Sequence, residues 1–510
     1  MDVATLVHRA TRRFAKRTAV AGPRGLQTFA ELGDRVTRLA RGLRALGLQV
    51  GDRVLDLQTN DHTYLETDLA IRSAGLVRVA LNHRLHPDDW IRIAEDSGAR
   101  ALVYDARFVD QAQALVDGID IVVVIGDAPG TAYAKLVAGQ HNGRLPAVDA
   151  AELCGLHYSS GTTGRPKGAQ RTHRNWFASL VNMTHDVLGT PPLPTDVYVH
   201  AGPITHTSGL FVLPFLVAGA TQVVLPSWDP EALIHAIEHR GATHTALVPT
   251  MVARLLAIPD VSRERLSGLK MLGYAGAPMP PEQLRQAHER LTPHLVQYYG
   301  LVEAIPPVTV LDEHDHARGL TTDPDVLTSA GRPALGVEIR VVDEDAQDVR
   351  DGDVGEVITR GDHVMRGYWN AGNDQDLSKS VVDGWLHTGD LGRLDDMGRL
   401  WLVDRKGDMI ISGGYNIYPR EVEDVIAAVP GVHEVAVIGV ADPDWGQRVV
   451  ACYSTHPGVD VTEAQVLEHC RAAMASYKKP KAVHRVDAFP LNSTGKIAKR
   501  VLRQQMERGT

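Results

Sequence analysis

Short apolar runs alternate with helical patterns through the first 125 residues, and this alternation is what most narrows the possible folds. Thr28 followed by Glu31 forms a capping box. Leu32, Val36, Leu39, Leu43 and Leu46 then recur at helical spacing, and Gly47 supplies a stop. Residues 54–57 read as a strand, 62–74 as a helix and 76–81 as a strand. The same order returns in 101–104, a helix to about 116, and 119–125. Strands joined by helices at this spacing pair in parallel, because each crossover helix packs back onto the sheet. A second alternating block runs from about 197 to 325. The expected fold class is therefore α/β, with a large N-terminal domain of doubly wound β/α subdomains.

Beyond residue 330 the pattern changes. Residues 336–342 and 355–359 are short β runs around an acidic turn with Asp351-Gly352, which predicts a small antiparallel β subdomain. Further on, 420–429 is helical, and 435–440 and 449–453 are strands. Thr462 with Gln465 caps a helix whose Leu467, Cys470 and Met474 face inward. This is a small α+β C-terminal domain, expected to be mobile. With no repeat or low-complexity linker, the boundary is expected as a tight hinge within 404–408, giving domains 1–404 and 405–510.

The chain has 62 acidic against 53 basic residues, a net charge of −9, mixed along its length. That argues against a general nucleic-acid partner, which favours a basic surface. Its three cysteines, Cys154, Cys452 and Cys470, have no metal-like spacing and read as structural thiols. The N-terminus lacks a secretory layout. The longest apolar run, 209–225, is broken by Pro214 and is shorter than the ~20 residues a membrane span needs. A cytoplasmic protein with no membrane span, monomeric or homodimeric, is expected.

Tyr158-Ser159-Ser160-Gly161-Thr162-Thr163-Gly164-Arg165-Pro166-Lys167-Gly168 concentrates hydroxyls, glycines and cations. Backbone N–H groups and hydroxyls in such a loop can donate to a polyphosphate. The kinase and GTPase spacing fails: Pro166 stands where the second Gly is required, and Gly168 follows Lys167. Six further blocks follow in order. They are Pro203-Ile204-Thr205-His206-Thr207-Ser208-Gly209, Tyr274-Ala275-Gly276-Ala277-Pro278 and Gln297-Tyr298-Tyr299-Gly300-Leu301-Val302-Glu303. The next is Gly384-Trp385-Leu386-His387-Thr388-Gly389-Asp390-Leu391. Then comes the string from Asp404-Arg405-Lys406-Gly407 through Gly413-Gly414-Tyr415 to Pro419, and finally Pro490-Leu491-Asn492-Ser493-Thr494-Gly495-Lys496-Ile497.

In this order, over roughly residues 28–500, the chain resembles the adenylate-forming (ANL) superfamily, in particular the acyl-CoA synthetases. The resemblance implies that ATP is held by Ser159, Ser160, Gly161, Thr162, Thr163, Gly164 and Lys167, with Gly276, Ala277, Pro278, Gln297, Tyr298 and Tyr299 at the adenine. It implies ribose contacts from Asp390 and Arg405, and Mg²⁺ at Glu303 and Thr162. Lys496 would bridge the attacking carboxylate and the α-phosphate, and His206 would gate the acyl pocket. That pocket would further involve Thr207, Ala275, Gly300, Leu301, Val302 and Ile305. Gly413, Gly414 and Tyr415 would meet coenzyme A, with Gly407 as the hinge. Val302 stands where the family's signature has Thr, and Gly407 where it usually has Asp or Lys.

The implied reaction is a two-step ligation. A small-molecule carboxylate is adenylated with release of pyrophosphate, and the acyl group is passed to coenzyme A. Two alternatives stay open: a non-CoA acceptor or unusual oxyanion, such as nitrite passed to an arylamine, and a non-catalytic nucleotide- and acyl-binding homologue.

Overall fold

The computed structural model describes residues 1–139, 145–159, 166–371, 380–412, 415–443, 445–456, 458–491 and 496–508. The chain divides into two units. One comprises Met1–Ile339, Ile358–Thr388 and Met397–Leu400; the other comprises Arg340–Val357, Gly389–Asp396 and Trp401–Thr510.

The first unit holds two large sheets. The seven-stranded one is ordered Thr131–Ala132, Ile121–Ile125, Ala101–Asp105, Arg53–Leu57, Val77–Ala80, Leu153–Ser159, Lys167–Thr172. Every neighbouring pair in it is parallel except the last. The nine-stranded sheet runs Arg332–Pro333, Thr309–Leu311, Leu295–Tyr299, Met271–Ala275, His244–Leu247, Val197–His200, Thr221–Val224, Thr18–Gly22, Gly25–Thr28. Its middle, from Leu295–Tyr299 to Thr18–Gly22, is parallel.

Helix Phe29–Ala45 forms with the expected capping box at Thr28 and buries Leu32, Val36, Leu39 and Leu43. The apolar run at 209–225 resolves into helix Val212–Ala218 and strand Thr221–Val224. Among the described residues no helix is long and apolar enough to cross a membrane.

One expectation is corrected. The helix expected to reach about 116 is a short 3₁₀ turn, Ala106–Phe108, and a separate helix, Gln113–Asp117. Asp105 accepts from the Arg107 amide at 3.0 Å, and this local turn competes with a continuous helix. The segment after the glycine-rich loop is strand Lys167–Thr172, laid antiparallel on Leu153–Ser159, before helix His173–Asn182 begins. That helix ends in a wide turn, Met183–Val187, with Leu188 N donating to the Met183 carbonyl at 2.9 Å.

Helix His62–Ser73 is buried nearly all round, and it brings charge inside. Arg78 donates through Nε to Asp56 at 2.7 Å, and its Nη1 lies 3.1 Å from Asp68. Arg72 Nη2 lies 2.8 Å from the same Asp68 oxygen. Buried charges are costly unless paired, so removing one partner strands the others. Arg78→Met is expected to cost about 3–5 kcal/mol, read as a lower urea midpoint at unchanged slope.

A smaller five-stranded sheet has the order Glu338–Val342, Gly355–Arg360, Trp385–Leu394, Val381–Val382, with Leu400–Arg405 also on Trp385–Leu394. In the second unit, Val432–Asp442 and Gly446–Thr455 form a long antiparallel pair, and Ala482–Arg485 adds in parallel to the latter. Helix Glu463–Ala473 has the expected capping box at Thr462. Cys470 is enclosed as expected, but Val466 takes the neighbouring core place, while Leu467 and Met474 are only partly buried. All three cysteines are buried and unbridged.

Candidate active site

The glycine-rich loop springs from the antiparallel pair Leu153–Ser159 and Lys167–Thr172, in which Tyr158 opposes Gly168 and Ser159 opposes Lys167. Ser160, Gly161, Thr162, Thr163 and Gly164 lie outside the described residues, as do Gly413 and Gly414 of the second unit. A Cβ on Gly168 would stand 2.8 Å from Tyr158 Cζ, so only glycine lets that tyrosine lie across the strand. Tyr158 in turn donates to Asp96 at 2.6 Å.

The segment 366–369 clasps the second of these strands. Arg366 N donates to the Gln170 carbonyl at 3.0 Å, Gln170 N to the Gly367 carbonyl at 3.0 Å, and Trp369 N to the Gly168 carbonyl at 2.7 Å. This places the Tyr368 ring 5.9 Å from Lys167 Nζ, and the Tyr368 hydroxyl donates to Glu303 Oε1 at 2.6 Å. Lys167 and Glu303 are thus joined by a tyrosine that the sequence did not single out. Arg171, also missed, donates to the Val302 carbonyl at 2.7 Å.

Strand Met271–Ala275 is buried, but the chain surfaces immediately after it: Gly276, Ala277 and Pro278 are exposed, with Gly276 at φ +89°. Gln297 and Tyr298 are buried, and the Tyr298 ring packs with Phe211 at 6.1 Å. Tyr298 and Ile305 are enclosed by the core, 1% and 0% exposed, so their side chains serve packing. Tyr299, Gly300, Leu301, Val302 and Glu303 keep partial exposure. A Cβ on Gly300 would meet Pro306 Cγ at 2.7 Å, which reserves that turn for glycine. Across this unit, exposed His206 has Nε2 3.1 Å from the Asn82 amide nitrogen, and Thr207 begins a short 3₁₀ turn. Tyr64 donates to Thr205 at 2.9 Å.

In the second unit Arg405 Nε lies 3.1 Å from Asp390 Oδ1, the carboxylate largely buried and the arginine exposed. Lys496 lies within electrostatic reach of this pair. It is exposed as a residue, yet its ammonium is held below the ordinary lysine value, by crowding first and by Arg405 second, with Asp390 pulling the other way. Lys406 pairs with Glu356 at 3.1 Å, which also accepts from Gly389 N at 3.2 Å. Gly407 has open space around its missing Cβ and no positive φ, so this conformation does not itself require glycine there. Tyr415 stacks on Tyr477 with centroids 4.7 Å apart, both exposed, and Lys481 Nζ sits 4.9 Å over the exposed Trp445 ring. The Tyr477-Lys478-Lys479-Pro480-Lys481 string carried the signal for this patch, an aromatic among lysines. Among the described residues no three His, Cys, Asp or Glu side chains converge as a ready-made metal cage.

Family models match over most of the chain: "AMP-binding enzyme" over residues 7–369 and "AMP-binding enzyme C-terminal domain" over 421–496. The chain belongs to the AMP-binding enzyme family. Within that family, a feruloyl-CoA synthase of an Amycolatopsis species is 37% identical over 480 residues, 94% of each chain. An indoleacetate–CoA ligase of Aromatoleum aromaticum is 35% identical over 505 residues, 97% of this chain and 96% of the relative. Among solved structures, the amide bond synthetase McbA of Marinactinospora thermotolerans superposes with a TM-score of 0.89 at 28% identity, covering 99% of this chain and 100% of that one. ATP-bound MatB of Rhodopseudomonas palustris gives 0.88 at 32% identity, with 99% of each covered. The recognition of an AMP-forming ligase family and of its α/β architecture therefore holds.

Proposed function

We propose that this AMP-binding enzyme adenylates a carboxylic acid with ATP, releasing pyrophosphate, and passes the acyl group to coenzyme A. The observation that carries the reading is Lys496 within electrostatic reach of the Asp390–Arg405 pair. A carboxylate and a guanidinium suit a ribose's hydroxyls, and an ammonium beside them falls at the α-phosphate, where the acid must attack. Positioning and charge do most of the work in such a step, since the protein supplies little covalent chemistry.

In this reading Ser159, Ser160, Gly161, Thr162, Thr163, Gly164 and Lys167 hold the phosphates. Gly276-Ala277-Pro278, Gln297 and Tyr299 frame the adenine, supported by the exposed turn after the buried strand. Glu303 and Thr162 would hold Mg²⁺, a hard cation whose charge would offset that of the phosphates. A single carboxylate already oriented by Tyr368 fits that demand better than a full protein cage would. His206, Thr207, Ala275, Gly300, Leu301 and Val302 border the acyl group. Rotation at Gly407 then separates the two half-reactions, withdrawing Lys496 and offering Gly413, Gly414 and Tyr415 to the thiol. The stacked Tyr415–Tyr477 pair with nearby lysines suits the aromatic base and phosphates of coenzyme A.

The feruloyl and indoleacetate relatives favour an aryl acid and coenzyme A as acceptor. A second reading, an amine acceptor in place of the thiol, draws on the likeness to the amide bond synthetase. The deciding experiment screens acids, nitrite included, for pyrophosphate release, then compares CoA-dependent with amine-dependent AMP formation. Orthophosphate in place of pyrophosphate would overturn both readings.

A further inference from the structure

One buried cation beside the proposed adenylation centre has no role in the account so far. Arg171 is 5% exposed, and its Nε and Nη2 both donate to the Val302 carbonyl, at 3.2 and 2.7 Å. Among the described residues no carboxylate lies within ion-pair distance of it. Burial pulls the guanidinium down to about 9; Glu303's charge opposes this and Arg72 adds to it. Arginine therefore stays charged at neutral pH. Its Cζ lies over the Trp176 ring, 5.7 Å from the centroid.

Enclosing an arginine whose side chain has, among the described residues, only a neutral carbonyl as hydrogen-bond partner is costly, and a neutral donor would anchor that carbonyl more cheaply. What a neutral donor lacks is a fixed positive charge next to Glu303. The turn it grips runs Gly300-Leu301-Val302-Glu303, half-exposed and with no hydroxyl at residue 302. Glu303 Oε1 accepts from the Tyr368 hydroxyl at 2.6 Å.

We propose that Arg171 is a positioning residue for the adenylation half-reaction. Its fork fixes the Val302 carbonyl, and its charge holds the Glu303 carboxylate in register with Tyr368, so that the turn keeps its place without the hydroxyl that Val302 lacks. This rests on the ligase reading, in which Glu303 carries Mg²⁺ and the thioester step does not use it.

The test uses the full chain and an acid found active in the pyrophosphate screen. Pyrophosphate release is titrated with MgCl₂, and the thioester step is followed separately from supplied acyl-adenylate. Arg171→Leu is expected to lower the rate of pyrophosphate release about 10- to 100-fold, to raise several-fold the Mg²⁺ needed for half-maximal rate, and to affect the thioester step at least tenfold less. Arg171→Lys, which keeps the charge and loses the fork, is expected to recover part of the adenylation rate. Equal losses in both half-reactions, an unmoved Mg²⁺ titration or an unaffected Arg171→Leu would each overturn the proposal. Should the leucine variant not fold, the same split read in Arg171→Lys decides. A wild-type protein that releases no pyrophosphate with any acid would instead overturn the ligase reading itself.

Discussion

Lys496→Ala is expected to abolish pyrophosphate release while the thioester step from supplied acyl-adenylate continues. The expected loss in the first step is about 1000-fold, the scale seen when a preorganised group at a developing negative charge is removed. Lys496 is within electrostatic reach of Arg405 and Asp390, and its ammonium is depressed by loss of surrounding water and by the Arg405 charge. A lysine used in one half-reaction only leaves the other intact when deleted. Rapid-quench measurement of each step checks this; comparable loss in both would remove Lys496 from its assigned place.

Glu303→Gln carries the second large effect, about a 100-fold fall in pyrophosphate release and a shift of the Mg²⁺ titration to higher concentration. The amide keeps the size of the side chain and can still accept from Tyr368, which donates to Glu303 Oε1 at 2.6 Å. What it loses is the negative charge a hard divalent cation requires. If the Mg²⁺ dependence stayed as in the wild type, the metal would have to be held elsewhere. This variant is the counterpart to Arg171→Leu, in which the carboxylate remains and its support is taken away.

Much of the fold follows from local chemistry. The Thr28–Glu31 and Thr462–Gln465 capping boxes and the helical spacing of Leu32, Val36, Leu39 and Leu43 involve neighbours a few residues apart, and the structure keeps all of them. The break after Asp105 was less legible, because a local turn made by the Asp105 side chain competes with a continuous helix. Strand Lys167–Thr172 was missed for another reason. Its partner on one side is the preceding strand and on the other the segment near Tyr368, almost two hundred residues away.

The candidate site divides along the same line. Its motifs are contiguous strings, so Lys167, Glu303, Asp390, Arg405 and Lys496 could be named from residue type and order. Tyr368, Arg171 and the Tyr477 that stacks on Tyr415 belong to no such string, and only their contacts give them meaning. Tyr298 shows the converse. It stands within a motif, yet its ring is enclosed in the core against Phe211, while Tyr299 after it stays partly exposed.

The sequence by itself determined the alternating α/β plan, the antiparallel and α+β segments that follow it, and the ordered blocks that mark an AMP-binding enzyme. The tertiary structure alone decided which distant charges share the interior, Arg78 with Asp56 and Asp68, and which groups hold Glu303 and the Val302 carbonyl in place. Caps and periodicities are short-range and leave a pattern along the chain. A buried charge takes its partner from whichever strand the sheet order sets beside it, and that order is fixed by the packing of the whole unit.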